Sequence, residues 1–442
     1  MEPGDRERLV RDGFVVLRGV IPQHMLSELR VAHDRLVETQ ARLTGLTSRD
    51  VGRTVIADEL AASIDQTTAP CVEYWTHETF HGVSSTLLGV EDAAVADMHM
   101  LCGEAKPPAE QSVGIWHRDF YPQRCAPLDS YANDIKETGP RYIQWNLCLY
   151  DDEVLWVVPG SHVRRASPEE DASLRSGGIA SGRGACREPL PGALHVKLQV
   201  GDGVAYSSPA ILHWGSRYGS CKRRTLHGGY CVPGFGYSRD APFLPLLSPP
   251  AQACFRRWQE RQARQVDAEE RVLRATLQPR ANAKTRYEFN ALVDALVPGR
   301  GVAGRAHSLV LLSKAVRRIF YFHHRHLMPQ PDPQQKPPQE PHNNEQALCT
   351  APNGYLQPGP ELYARFSATE AKELWERFEH IDQALRLPSP VPVSGLNWEP
   401  GFQGGLSVYT FHEVPPIEDL EPRLAGADEN TAAVAAGGAA RL

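Results

Sequence analysis

The 442-residue chain is 41% hydrophobic, 23% charged and 8% aromatic, the composition of an ordinary globular protein, which excludes disordered, collagen-like and coiled-coil readings. With 47 Lys and Arg against 53 Asp and Glu the net charge is -6, so no overall positive field favours nucleic acid as a partner. Nine scattered cysteines form no CxxC pair, the opening MEPGDRERLVRDG has no apolar leader core, and no apolar run reaches the roughly 18 to 20 residues of a membrane span. The expectation is a reduced, intracellular, cytoplasmic protein with no membrane association.

In chain order, DGFVVLRGVIP packs β-branched residues between Gly13 and Gly19 and reads as a short buried strand. A helix follows from Pro22, with Met25, Leu29, Ala32, Leu36 and Val37 at three- and four-residue spacing, an apolar stripe suited to covering a sheet. From about 95 to 235 short β-type runs alternate with Gly, Pro and Asp, the texture of a barrel or sandwich. Residues 166–190 are polar and Gly-rich and read as a surface insertion, a candidate lid. The expected organisation is a core over 1–250, a helical extension over 251–327, a Pro/Gln-rich linker over 328–346, a segment with one helix over 347–420 that starts at the capping box Ser367 to Glu370, and a low-complexity tail over 421–442. No internal repeat is present.

Two metal-type patterns compete. His77-Glu78-Thr-Phe-His81 matches HExxH, which on a helix would set two imidazoles on one face with Glu78 as general base of a zinc hydrolase. It lacks the Gly-x-x-His continuation, and the bland reading is an ordinary helix ahead of a Leu-Leu-Gly cap. The second pattern is Trp116-His117-Arg118-Asp119. On an extended segment His117 and Asp119 project to one face, so imidazole and carboxylate can meet one ion, as in a two-His, one-carboxylate site for non-haem Fe(II). A second H-x-D, His380-Ile-Asp382, lies in a helical pattern where i and i+2 point apart. Downstream of the first, GDGVAYSSPAILHWGS brings His213 to the end of an apolar strand, beside Ser216. Eleven residues on, Arg224 begins another β run; a guanidinium there suits a two-pronged bond to a carboxylate, and Arg224 is preferred to Arg223.

Over residues 8–235 the chain resembles the phytanoyl-CoA dioxygenase (PhyH-like) family of Fe(II)/2-oxoglutarate oxygenases, through DGFVVLRGVIP, STLLGVEDAAV, KPP, WHRD, VLWVVPGSH, GDGVAY, LHWGS and the distal Arg pair. The resemblance implies a mainly β fold with helices, a double-stranded β-helix (jelly-roll, cupin-like) core with flanking N-terminal helices and a helical C-terminal extension. It implies that His117, Asp119 and His213 bind Fe(II), that Arg224 binds the far carboxylate of 2-oxoglutarate, and that Ser216 assists. Further co-substrate contacts are implied around Met98, His99 and Met100, and at Gln144 and Trp145 on a facing strand.

The implied reaction consumes 2-oxoglutarate and O2, releases succinate and CO2 and hydroxylates a substrate C–H bond; the presence of Asp119 disfavours halogenation. Three departures bear on the substrate: the extra residues between Asp119 and RYIQW, the DDE turn before VLWVVPGSH, and the long C-terminal extension. Aromatics near the motifs, among them Trp116, Phe120, Tyr121, Tyr131, Trp156, Trp214 and Tyr218, suit a small apolar or aromatic-bearing substrate. Arg217, Lys222 and Arg223 would suit an anionic group. His323, His324 and His326 read as helix-end charges, and Ala440-Arg441-Leu442 would match a peroxisomal address in a eukaryotic protein. The alternatives are a non-catalytic scaffold on the same fold and the HExxH zinc hydrolase.

Overall fold

The computed structural model describes residues 1–56, 60–104, 116–118, 135–136, 139–140, 142–170, 172, 188–207, 211–216, 222–232, 241–277, 315–316, 319–320, 322–324 and 360–376. Asp119, most of the 166–190 insertion, the 328–346 linker, the helix pattern around His380 and the tail therefore lie outside the described residues. The chain divides into two compact units, one of residues 1–121, 135–263 and 338–356, the other of 122–134, 264–337 and 357–442.

The first unit combines helices with antiparallel sheet. Helix α1 (Asp5–Asp12) ends at Gly13, whose φ of 82° lets the chain turn directly into β1 (Phe14–Leu17). A Cβ on Gly13 would stand 2.5 Å from Nδ1 of His162, so glycine also admits the VVPGSH segment against the entry strand. Helix α2 (Leu26–Thr44) buries Leu29, Ala32, Leu36 and Val37, the stripe read from the sequence, although a 3-10 turn at Gln23–Met25 precedes it. Strand β2 (Arg53–Val55) and the short helices α3 (Pro70–Glu73) and α4 (Val83–Leu88) lead into β3 (Ala94–Gly103). The later strands are β4 (Tyr142–Cys148), β5 (Leu155–Val157), β6 (Leu194–His195), β7 (Gly203–Tyr206), β8 (His213–Gly215) and β9 (Arg223–Cys231), and helix α5 (Pro249–Leu277) follows. The sequence break expected at 250 thus falls at the start of a continuous helix.

Six strands form one antiparallel sheet in the order β1-β7-β4-β9-β3-β2, and three form another in the order β6-β5-β8. Alternation along each strand gives the large sheet two distinct faces. On its outer face Trp145 meets Phe80 edge-on at 5.2 Å and donates to Ser84 Oγ, and Tyr230 packs on Trp75 and Phe80. On its inner face Val204 and Tyr206 of β7 join Leu155 and Val157 of the small sheet in one buried cluster, which fixes which side chains point between the sheets. The other face of the small sheet carries Trp116, Trp214 and Leu212 with Trp156.

The Gly-Asp turn read from GDGVAY has a structural cause. Asp202 accepts from the Gly19 N–H at 2.9 Å, from Arg18 at 2.6 Å and from the Gln199 N–H at 2.8 Å, tying the end of β1 to the start of β7. In the second unit, the capping box at Ser367 and Glu370 forms reciprocally, at 2.7 and 3.2 Å, ahead of a helix over 368–376.

His33 of α2 is fully buried, and among the described residues neither ring nitrogen has a hydrogen-bond partner. Burial, with the positive charge of Arg224, pushes its pKa down to about 3 against a weaker opposing pull from Asp34. A histidine whose folded pKa is depressed contributes its share of stability above the unfolded value near 6.5, and that share drains away as pH falls toward the folded value. His33→Leu is therefore expected to raise unfolding free energy by about 1 kcal/mol at pH 7.5. The gap between variant and parent should widen at pH 5, as measured by urea titration at both pH values.

Candidate active site

The two histidines singled out by the second metal pattern meet across the sheets' interior. His117 and His213 form an antiparallel bridge, each N–H donating to the other's carbonyl at 3.0 Å, and their rings lie 4.2 Å apart by centroid. His213 pairs in register with Val157, a member of the cluster between the sheets, so both imidazoles belong to the inner face. His213 Nδ1 lies 3.0 Å from the Ile211 carbonyl, which can only accept. Nδ1 therefore carries the hydrogen, and Nε2 is left with its lone pair for a metal. This is the donor chemistry a ferrous ion requires, and two of the three expected ligands are brought together; Asp119 is outside the described residues.

What aims these two side chains is the VVPGSH segment. Ser161 Oγ accepts from the Leu212 N–H at 2.8 Å, and the Ser161 carbonyl accepts from Arg118 Nη1 at 2.5 Å. Leu212 and Arg118 are the immediate neighbours of His213 and His117, so one residue grips the segments that carry both histidines. The Arg118 guanidinium is buried, reaches the Arg164 carbonyl as well, and feels the negative charge of Glu170. His162, whose pKa burial lowers to about 4, closes the same turn by donating to the Val10 carbonyl of α1. The sequence signals for these two supports are the serine of VVPGSH and the charged residue between His117 and Asp119 in WHRD.

The other expected residues separate by strand face. His99 and Gln144 lie on the inner face with His227, whereas Met100 pairs with Leu226 and, like Trp145, turns to the helical side. The sequence leaves their register open, and the period of two sets these alternate side chains on opposite faces. Ser216 donates to the Val154 carbonyl twice, from its hydroxyl at 2.9 Å and from its own N–H at 2.7 Å, a turn-closing role. Arg224, 3% exposed, also faces the helices. Its Nε donates to Asp34 Oδ1 at 2.8 Å and its Nη2 to Glu104 Oε1 at 2.9 Å. Arg223 and Thr225 point inward instead, both donating to Asp152 Oδ2, at 2.7 and 2.9 Å. Burial raises the Asp152 carboxyl, but the Arg223 charge and hydrogen bond, with those from Val154 and Thr225, hold it below the ordinary range.

The HExxH residues lie on the helical side. His77 is the extended N-cap residue of a five-residue π turn, Glu78–Gly82, and its Nδ1 is 2.8 Å from Thr79 Oγ1. The α-helix which that motif needs is absent, since the turn is too wide to stack positions 77 and 81. His81 reaches the Ala93 carbonyl and Asp92 Oδ1 at 2.9 and 3.0 Å. Asp92 also binds Arg257 and Arg261 of α5. Burial raises its carboxyl, and these partners, His81 first, outweigh burial and hold it well below the usual range. Cys254 Sγ completes a trio of donor atoms within 4.8 Å of one another, but two guanidiniums already neutralise the only carboxylate in it.

No protein-family model matches the chain, and no curated protein matches it. Among solved structures it is similar to AviO1 from Streptomyces viridochromogenes Tue57, at 20% identity over 52% of this chain and 94% of that one, with a TM-score of 0.35. EctD from S. alaskensis with 2-oxoglutarate and 5-hydroxyectoine is 16% identical over 55% of this chain and 82% of that one, with a TM-score of 0.37. HygX from Streptomyces hygroscopicus with nickel and 2-oxoglutarate bound is 15% identical over 55% and 93%, with a TM-score of 0.39.

Removing the Ser161 hydroxyl should leave the Leu212 N–H buried without an acceptor. Ser161→Ala is expected to lower stability by about 1–3 kcal/mol. It should also weaken Ni(II) binding to the apoprotein at least severalfold; calorimetric titration with Ni(II), alongside a thermal melt, checks both.

Proposed function

We propose that the chain is an Fe(II)- and 2-oxoglutarate-dependent oxygenase that hydroxylates a C–H bond of a small organic molecule. The observation that carries this reading is the His117–His213 pair, bridged on the inner face with an orienting hydrogen bond on His213 and continued by Asp119 in the sequence. The order of segments supports a double-stranded β-helix: β3, β4, β7 and β9 contribute to the large sheet, while 117, β5, β6 and β8 belong with the small one. The resemblance to the phytanoyl-CoA dioxygenase family points the same way.

In this reading His117, Asp119 and His213 hold Fe(II), leaving adjacent positions for 2-oxoglutarate and O2. When bound, the iron supplies oxidative decarboxylation of 2-oxoglutarate to succinate and CO2, coupled to oxidation of the substrate. The protein's own contribution is orientation: Ser161 fixes the two ligand segments, and the Ile211 carbonyl fixes the His213 tautomer. The cation for the far carboxylate of 2-oxoglutarate is Arg223, with the Thr225 hydroxyl beside it on the inner face, because Arg224 is held on the opposite face by Asp34 and Glu104. Mixed apolar and neutral polar groups on the inner face suit a small substrate.

Succinate release from 2-oxoglutarate with Fe(II) and ascorbate, together with anaerobic Ni(II) titration, tests the assignment. His117→Ala and His213→Ala should each lower metal affinity by about 10- to 100-fold or more, and His77→Ala should leave it unchanged. Arg223→Gln should raise the KM for 2-oxoglutarate more than tenfold, while Arg224→Gln should act on stability. Metal binding that survives loss of His213 but not of His77 would overturn the proposal.

A further inference from the structure

We propose that Glu170 is a positioning residue for the metal site: paired with Arg164, it holds the turn that grips Arg118 and so fixes the segment that presents His117 to a divalent metal ion. The inference rests on the oxygenase reading above, through its assignment of His117 and His213 as ligands, and deepens it.

Two capping boxes in this chain share one internal geometry and have opposite surroundings. In each, a serine N–H donates to the carboxylate three residues on at 2.7 Å, and the glutamate N–H donates back to the serine hydroxyl at 3.2 Å, at Ser167 with Glu170 and at Ser367 with Glu370. Such a glutamate needs no burial to cap a helix, and the Glu370 side chain is 35% exposed. That of Glu170 is 2% exposed. Taking a carboxylate out of water is costly unless charge partners and hydrogen bonds compensate, so the burial of Glu170 points to a task that capping does not require.

Its partners show what that task is. Arg164 Nη1 and Nη2 donate to Oε2 and Oε1 of Glu170 at 2.8 and 2.7 Å, a two-pronged pair that fixes the Arg164 side chain. The Arg164 carbonyl accepts from Arg118 Nη2 at 3.3 Å, and the Arg164 N–H donates to the Ser161 carbonyl, which also accepts from Arg118 Nη1. The Arg118 guanidinium therefore spans the two ends of the turn 161–164. Ser161 secures one end through its hydroxyl on the Leu212 N–H, and Glu170 secures the other through Arg164. His117 precedes Arg118 and is bridged to His213, so a displaced guanidinium shifts the backbone that aims the His117 imidazole. Burial raises the Glu170 carboxyl, but the Arg164 hydrogen bonds, the Ser167 N–H and the charges of Arg164 and Arg118 hold it below the ordinary range. The anion thus persists at neutral pH beside both guanidiniums.

Ni(II) titration of the apoprotein by anaerobic calorimetry, with a thermal melt and the visible spectrum of Co(II)-loaded protein, tests this. Glu170→Gln keeps the side-chain shape and removes the charge, and Arg164→Met removes its partner. Each is expected to weaken Ni(II) binding about three- to tenfold and to shift the Co(II) bands, which report ligand geometry. The double variant should lose no more than the larger single loss, since the two residues act as one unit. Ser167→Ala takes away the cap and leaves the ion pair, so it should lower the melting temperature while Ni(II) affinity stays within twofold of the parent and the Co(II) spectrum is unchanged. Ni(II) affinity within twofold of the parent in both single variants, or a loss in Ser167→Ala equal to that in Glu170→Gln, would overturn this inference while leaving the oxygenase assignment standing. A parent protein that binds no Ni(II) would overturn both.

Discussion

Both histidines of the candidate site are aimed by a single serine. Ser161 sits in a one-turn 3-10 helix and uses its hydroxyl and its carbonyl on the neighbours of His213 and His117 respectively. A metal site assembled from two distant chain segments has to bring those segments to a common position before the ion arrives, and a rigid turn bonded to both does so. The same turn is anchored behind by His162 on α1 and by the glycine at the mouth of β1. The N-terminal helix is thus coupled through this turn to the segments that carry His117 and His213.

The second organising fact is the two-faced large sheet. Its helical side is aromatic, closed by Trp75, Phe80, Trp145 and Tyr230. Its other side carries Gln144, Asn146, Tyr206 and His227, which are expensive in an interior unless they are hydrogen-bonded, as they are to one another here. This contrast between an aromatic face and a hydrogen-bonded polar face is set by strand register rather than by any single motif.

Much of this was legible in the residue order. The entry strand, the stripe on α2, the histidines of WHRD and LHWGS, the Gly-Asp turn and the distant capping box all follow from local patterns with a physical cause. Strand register was not legible. Adjacent letters such as Met98-His99-Met100, Gln144-Trp145 and Arg223-Arg224 differ only in which face they occupy, and a shift of one reverses every assignment. Spacing from His213 favours Arg224, whereas facing depends on pairing with β3 and β4, which sets Arg223 inward and Arg224 toward the helices. The π turn at Glu78–Gly82 was likewise invisible, since HExxH letters carry no information about turn width.

Helix α5 begins where the composition changes, yet its first four turns belong to the first unit. Trp258 packs on His81, Phe255 on Phe243, and Arg257 and Arg261 hold Asp92 at the approach to β3. A shortened protein cut at the compositional boundary would strip the half-buried Asp92 carboxylate of its two guanidinium counter-ions and expose an aromatic seam. The smallest self-contained fragment of this unit therefore has to run at least as far as Ala263.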